Sequence, residues 1–204
     1  MPLAGLLLAL ASSEPIVGGP CEGCEAVFQG RPARIATTAR LAPPGEAGEP
    51  MILSGVVRTP GGTPAAGIVV YAYHTDARGV YPTDDALRRS AAGRHGRLRG
   101  FARTDASGTY RFESIRPAGY PGTGIPQHVH LHVIEPGRCT YWIDDVLFED
   151  DPRLTEAQRR AHDHGRGGSG IVRPTRAADG TWIVRRDIVL GAGIPDYPRC
   201  EAGP

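Results

Sequence analysis

FARTDASGTYRF, residues 101–112, decides how the rest of this chain is read. Phe101–Thr104 and Thr109–Phe112 are short runs carrying aromatic and β-branched residues. Between them lies Asp105-Ala106-Ser107-Gly108, four turn formers in a row, so the stretch predicts a β-hairpin. The same punctuation recurs on both sides. Met51–Val57 reads as a strand that stops at the Gly61-Gly62-Thr63-Pro64 turn, and Ile68–Tyr73 as a second, apolar strand. Residues 84–100 read as a solvated Arg-rich loop, His128–Glu135 as a strand and Thr181–Leu190 as a final strand. Thr155-Glu156-Ala157-Gln158 has the capping-box pattern, which predicts a short helix ending by Gly165. Six or seven short strands and one late helix predict an all-β chain, a β-sandwich.

Composition bounds this reading. A chain of 204 residues is long enough for one domain with a full core. Its 28 glycines and 19 prolines are a density of turn formers that excludes a helical bundle. The 23 basic residues, all Arg, nearly balance 22 acidic ones, and the net charge of +1 offers no bulk attraction to nucleic acid or an anionic membrane. Neither Lys nor Asn occurs, which marks a GC-rich bacterial genome and weakens any functional argument from Arg abundance.

Leu3–Ala11 (LAGLLLALA) is too short to span a membrane and suits the apolar region of a secretory signal peptide, although no basic residue precedes it. Residues 1–20 therefore read as a leader, 21–50 as an N-terminal arm and 51–200 as the domain. Four cysteines, Cys21, Cys24, Cys139 and Cys200, fit an exported protein with two disulfides. We expect bridges from the N-terminal segment to Cys139 and to Cys200. Cys21-x-x-Cys24 also reads as half of a zinc site or a redox pair, but no second Cys-x-x-Cys completes it.

The chemistry concentrates in PQHVHLHV, residues 126–133. On a strand, His128, His130 and His132 share one face while Val129, Leu131 and Val133 take the other. Neutral imidazoles converging from one strand make a metal-binding edge. No acid shares that face, since Glu135 points the other way. Two tyrosines lie in neighbouring turns, Tyr81 in ARGVYP and Tyr120 in PAGYPG. A phenol ionises at neutral pH only beside a strong cation such as ferric iron.

These landmarks resemble the intradiol ring-cleavage dioxygenase family, which includes catechol 1,2- and protocatechuate 3,4-dioxygenases. GVVRTPGGTPAAGIVV (55–70), DARGVY (76–81), LRGFARTDASGTYRFESIRPAGYPG (98–122), QHVH (127–130) and VLFEDDP (146–152) occur in the family's order. The resemblance implies a β-sandwich with non-haem Fe(III) held by Tyr81, Tyr120, His128 and His130. It implies a catechol-containing aromatic and O₂ as substrates, with ring opening between the hydroxyl-bearing carbons. Tyr120 is then the ligand that leaves and takes a substrate proton, the catalytic residue of the set. The secreted branch of the family is the nearest likeness.

Two departures stand out. Family members carry Arg three residues before the first histidine, where this chain has Ile125, and commonly Pro just before it, where this chain has Gln127. Losing a charge-stabilising group costs on the order of a hundredfold in rate. Ile125, Gln127 and His132 are expected around the metal or in the substrate pocket. His74 is expected at a strand end, and His162 and His164 as complements to a helix dipole. Two other readings remain open at this point. One is a non-catalytic, transthyretin-like metal-binding module; the other is a Cu or Zn enzyme using His128, His130 and His132.

Overall fold

The computed structural model describes residues 14–21, 23–197 and 200; the apolar run at 3–11 lies outside them. Eleven strands follow in chain order: β1 (Thr38–Arg40), β2 (Pro50–Arg58), β3 (Val69–Tyr73), β4 (Arg99–Arg103), β5 (Thr109–Ile115), β6 (His128–Glu135), β7 (Cys139–Phe148), β8 (Ile171–Val172), β9 (Thr175–Arg176), β10 (Trp182–Arg185) and β11 (Ile188–Val189). One sheet runs β1-β5-β2-β10-β9, with β11 also on β2; the other runs β4-β3-β6-β7-β8. The fold is the all-β sandwich expected, with helices α1 (Asp85–Arg88) and α2 (Glu156–His162) outside it.

The stretch 101–112 is not a hairpin. Its turn forms, with Gly108 N–H donating to the Asp105 carbonyl. But β4 pairs with β3 and β5 with β2, so the turn is a corner that carries the chain from one sheet to the other. Local turn chemistry is the same in both cases. Which partner each strand takes depends on residues far away. The Thr104 hydroxyl fastens the corner by donating to the Ala65 carbonyl while accepting from the Ile68 N–H.

Alternation along β2 and β5 sends Met51, Leu53, Val57, Tyr110 and Phe112 inward, against Val70, Ala72, Val129, Leu131 and Val133 of the opposite sheet. Burying a ring such as Phe112 contributes about 2–3 kcal/mol. The other face of β3 is buried too. Val69, Tyr71 and Tyr73 pack beneath a 3₁₀ turn at Cys24–Phe28, whose Val27 is fully enclosed. Segment 21–50 is thus woven into the body. It supplies this cover and edge strand β1, parallel to β5.

Three other expectations change. The 84–100 segment is no mere solvated loop, since it holds α1, a 3₁₀ turn at Ala91–Arg94 and the buried Leu98 and His95. The run 181–190 splits into β10 and β11, between which buried Arg186 donates to the carbonyls of Arg166, Gly167 and Gly168. The disulfides join Cys21 to Cys24 and Cys139 to Cys200, not the N-terminal segment to either distant cysteine. The arm is held by packing, so it needs no covalent tether to the tail. Cys139–Cys200 spans 61 residues, worth about 4 kcal/mol of unfolded-chain entropy, whereas Cys21–Cys24 spans 3 and is worth under about 2.

The late helix starts as its capping box predicts, with the Thr155 hydroxyl accepting from Gln158 N–H. It ends at His162, short of Gly165, and the Gln158 side chain donates to the Gly124 carbonyl instead of closing the box. That bond docks α2 on the loop before β6.

Candidate metal centre

The four residues expected around a metal meet at one point. Tyr81 Oη lies 2.6 Å from Tyr120 Oη and 2.8 Å from His130 Nε2. His128 Nε2 lies 3.2 Å from Tyr120 Oη and 3.1 Å from His130 Nε2. The histidines arrive together because they share one face of β6. The tyrosines arrive on loops that are zipped to each other. Ala118 N–H donates to the Asp76 carbonyl, and the Thr75 hydroxyl donates to the Ala118 carbonyl. The Asp76 carboxylate accepts from the N–H groups of Arg78 and Val80, which shapes the turn leading to Tyr81. Gly79 sits between the loops at φ 78°, and a Cβ there would fall 2.3 Å from the Gly119 carbonyl oxygen. Only glycine fits this close approach.

The outward partners of the imidazoles decide what the centre can hold. His128 Nδ1 faces the Pro126 carbonyl at 2.8 Å, and His130 Nδ1 faces Asp145 Oδ1 at 2.8 Å. Both partners accept, so in the neutral rings both Nδ1 atoms carry the hydrogen and both Nε2 atoms turn a lone pair inward. Burial holds the His128 imidazole near pKa 4, hence neutral. With both rings in that neutral form, the four inner contacts share only the two phenol hydrogens. Two of the contacts, the 3.1 Å N···N pair included, are lone pair against lone pair. Such a donor set suits a cation.

Without a cation the phenols stay neutral. Burial, then the bond to Tyr120, push Tyr81 far above the usual phenol value, and burial also raises Tyr120. A highly charged ion reverses this order. Asp145 is raised by burial but held below its ordinary value by His130, so it stays ionised. His128, His130 and Asp145 can place one ligand atom each within 4.8 Å of one another. Asp145 was not singled out in the sequence. It comes from β7, and only the pairing of β6 with β7 shows that an acid reaches the histidines.

A cleft of about 130 Å³ opens beside the centre, lined by Tyr120, Ile125, Pro126, His128, His130, Asp145, Leu147 and His162. Ile125 is on its wall. The Gln127 carboxamide oxygen is taken by Arg116, which also grips Asp150 and stacks over Phe148 and Trp182. Arg153 donates to the carbonyls of Tyr120 and Ile125, holding the loop from outside. His132 is buried against Tyr71 and Tyr73 and points Nδ1 at Cys24. His95, stacked on Tyr73 and bonded to the Tyr71 hydroxyl, adds a buried ring that the sequence pattern concealed inside a polar segment. His74 follows β3, where its two nitrogens meet the Thr75 carbonyl and the Ser114 hydroxyl. His162 ends α2 with Nε2 on Gln158, and His164 donates its backbone N–H to Asp144.

Comparison with known proteins gives the family and the fold. The Dioxygenase_C family model, described as a dioxygenase, matches residues 26–166. Catechol 1,2-dioxygenase 1 of Acinetobacter lwoffii is 35% identical over 88 residues, 42% of this chain and 27% of that protein, so the match covers about a quarter of the relative's length. Among solved structures, the dioxygenase domain of a dioxygenase–carbohydrate-binding fusion from Streptomyces sp. SirexAA-E shares the fold at TM-score 0.58 and 22% identity, over 79% of this chain and 94% of that one. Hydroxyquinol 1,2-dioxygenase from Pseudomonas putida DLL-E4 does so at TM-score 0.58 and 21% identity, over 90% and 68%. With the family match covering more than half of it, the chain belongs to the intradiol ring-cleavage dioxygenases.

Proposed function

We propose that this protein is an exported, Fe(III)-dependent intradiol dioxygenase that opens a catechol-containing aromatic with O₂. One observation carries the reading: two imidazole Nε2 atoms and two phenol oxygens converge in four contacts of 2.6–3.2 Å. Tyr81, Tyr120, His128 and His130 would hold the iron, and Tyr120 is the catalytic residue. When bound, ferric iron draws electron density from a coordinated diol and so readies its ring for O₂.

The chain's own residues prepare that chemistry. Asp145 and the Pro126 carbonyl hold the two imidazoles in the tautomer that offers Nε2 inward. Tyr120 borders the cleft, and as a phenolate its Oη accepts a proton from the incoming diol. Ile125, Pro126 and Leu147 present apolar surface to the ring and exclude water. Among the described residues no arginine lines the cleft, so an uncharged catechol is favoured over a carboxylated one.

Spectroscopy tests the reading. Iron-loaded protein should show a broad visible tyrosinate-to-iron band, which Tyr120→Phe should alter, and should consume O₂ with uncharged catechols. A colourless protein holding stoichiometric zinc would overturn the iron assignment. An iron-loaded, coloured protein that consumes no O₂ across a catechol panel would leave a metal-binding module instead.

A further inference from the structure

The Cys-x-x-Cys at 21–24 lacks a second pair of cysteines, but the fold supplies a third ligand from elsewhere. Cys24 Sγ lies 3.9 Å from His132 Nδ1, and Cys21, Cys24 and His132 can each place a ligand atom within 4.8 Å of the others. His132 takes no part in the tyrosine–histidine centre; its ring is packed against Tyr71 and Tyr73. Cys21 and His132 line a cavity of about 220 Å³ that runs on past Asp144 to Asp145 and His130 at the edge of the tyrosine–histidine centre, so small solutes that enter it reach both. In the structure the two sulfurs are joined. This bridge closes the shortest of loops and adds little chain-entropy stability. Its half-buried Cys21 contrasts with Cys139 and Cys200, both fully enclosed.

We propose that Cys21, Cys24 and His132 form a redox-gated zinc site, closed while the disulfide stands and opened by an external dithiol. Reduction breaks the Cys21–Cys24 bond. The dithiol closes to its own disulfide, and its two electrons and two protons leave Cys21 and Cys24 as thiols. Zinc then displaces those two protons and is held by two thiolates and the neutral His132 ring, with its fourth position facing the cavity. The sulfurs must part to about 3.8 Å for tetrahedral zinc, a rotation open to the half-buried Cys21 side chain.

The test uses the full chain, oxidised or treated with dithiothreitol and then freed of it under nitrogen. Two of the four cysteines should titrate as thiols in the folded protein. Added Co²⁺ should give a near-ultraviolet thiolate-to-cobalt band in the reduced chain alone, and one equivalent of Zn²⁺ should bleach it. His132→Ala should weaken this binding at least about tenfold, and Cys21→Ser, at a half-buried position, should abolish the band. The proposal is overturned if no thiol is released in the folded chain, or if released thiols give no band. It is also overturned if the band survives Cys21→Ser or is undiminished in His132→Ala. The tyrosine–histidine centre has no thiolate, so failure here leaves the iron reading to be judged by its own visible band.

Discussion

His130 meets two demands at once. Its Nδ1 is committed to Asp145 and its Nε2 to Tyr81 and His128, so the ring can serve the centre in one tautomer only. Asp145→Asn removes the charge behind that ring. The chain should then bind iron about 10–100-fold more weakly, read as iron per chain after dialysis against a chelator. Unchanged occupancy would show that Asp145 does not tune the ligand. Ile125 offers the opposite experiment. Ile125→Arg restores a cation to the cleft wall and should raise kcat/KM on catechol, by on the order of a hundredfold if charge stabilisation is what the chain lacks. No gain would mean that the cleft takes a substrate needing no such help. Both tyrosines and both proposed histidine ligands were legible in the sequence, through spacing and family resemblance. Asp145 was not, because its relation to His130 is a cross-strand contact with no signature along the chain.

At the scale of elements, the site depends on two loops held in register. Gly79→Ala puts a methyl group against the Gly119 carbonyl at a backbone angle that L-residues rarely adopt. We expect it to separate Tyr81 from Tyr120 and abolish the tyrosinate band, while far-ultraviolet circular dichroism stays that of the intact sandwich. A normal band would show the loops to be more forgiving than this contact implies. Strand β7 shows where element reading fails. Its sequence CTYWIDDVLF is buried along most of its length yet carries two acids, so it has neither clean alternation nor an unbroken apolar run. Both acids have tertiary reasons, Asp145 at His130 and Asp144 accepting from the N–H groups of His164 and Arg166. The Cys139–Cys200 bridge ties the start of this strand to the tail. Replacing both cysteines by serine should lower the unfolding free energy by about 4 kcal/mol in urea titrations, and a loss below about 1 kcal/mol would mean that packing alone holds the tail.

Across the whole molecule, buried imidazoles make stability depend on pH. Burial holds His74, His95 and His128 near pKa 4 and His132 near 3, all below the unfolded value. Between those values and about pH 6.5 the unfolded chain binds more protons, so stability is complete above 6.5 and is lost as pH falls toward 4. For His74 alone the loss by pH 5 is about 2 kcal/mol. Urea unfolding of the metal-free chain should therefore show a markedly lower free energy at pH 5 than at pH 7; equal values would mean that these rings are not held neutral. The order of residues along the chain carried the inventory: strand-forming runs, glycine and proline corners, a capped helix, and two tyrosines and two histidines in a family's order. These are local properties, set by backbone sterics and side-chain chemistry within a few residues. Long-range packing, by contrast, makes the corner at 105–108 cross between sheets, pairs each Cys as it does, and stands Asp145 behind His130. Those outcomes depend on which distant segments bury each other's surfaces, a balance struck over the whole chain at once.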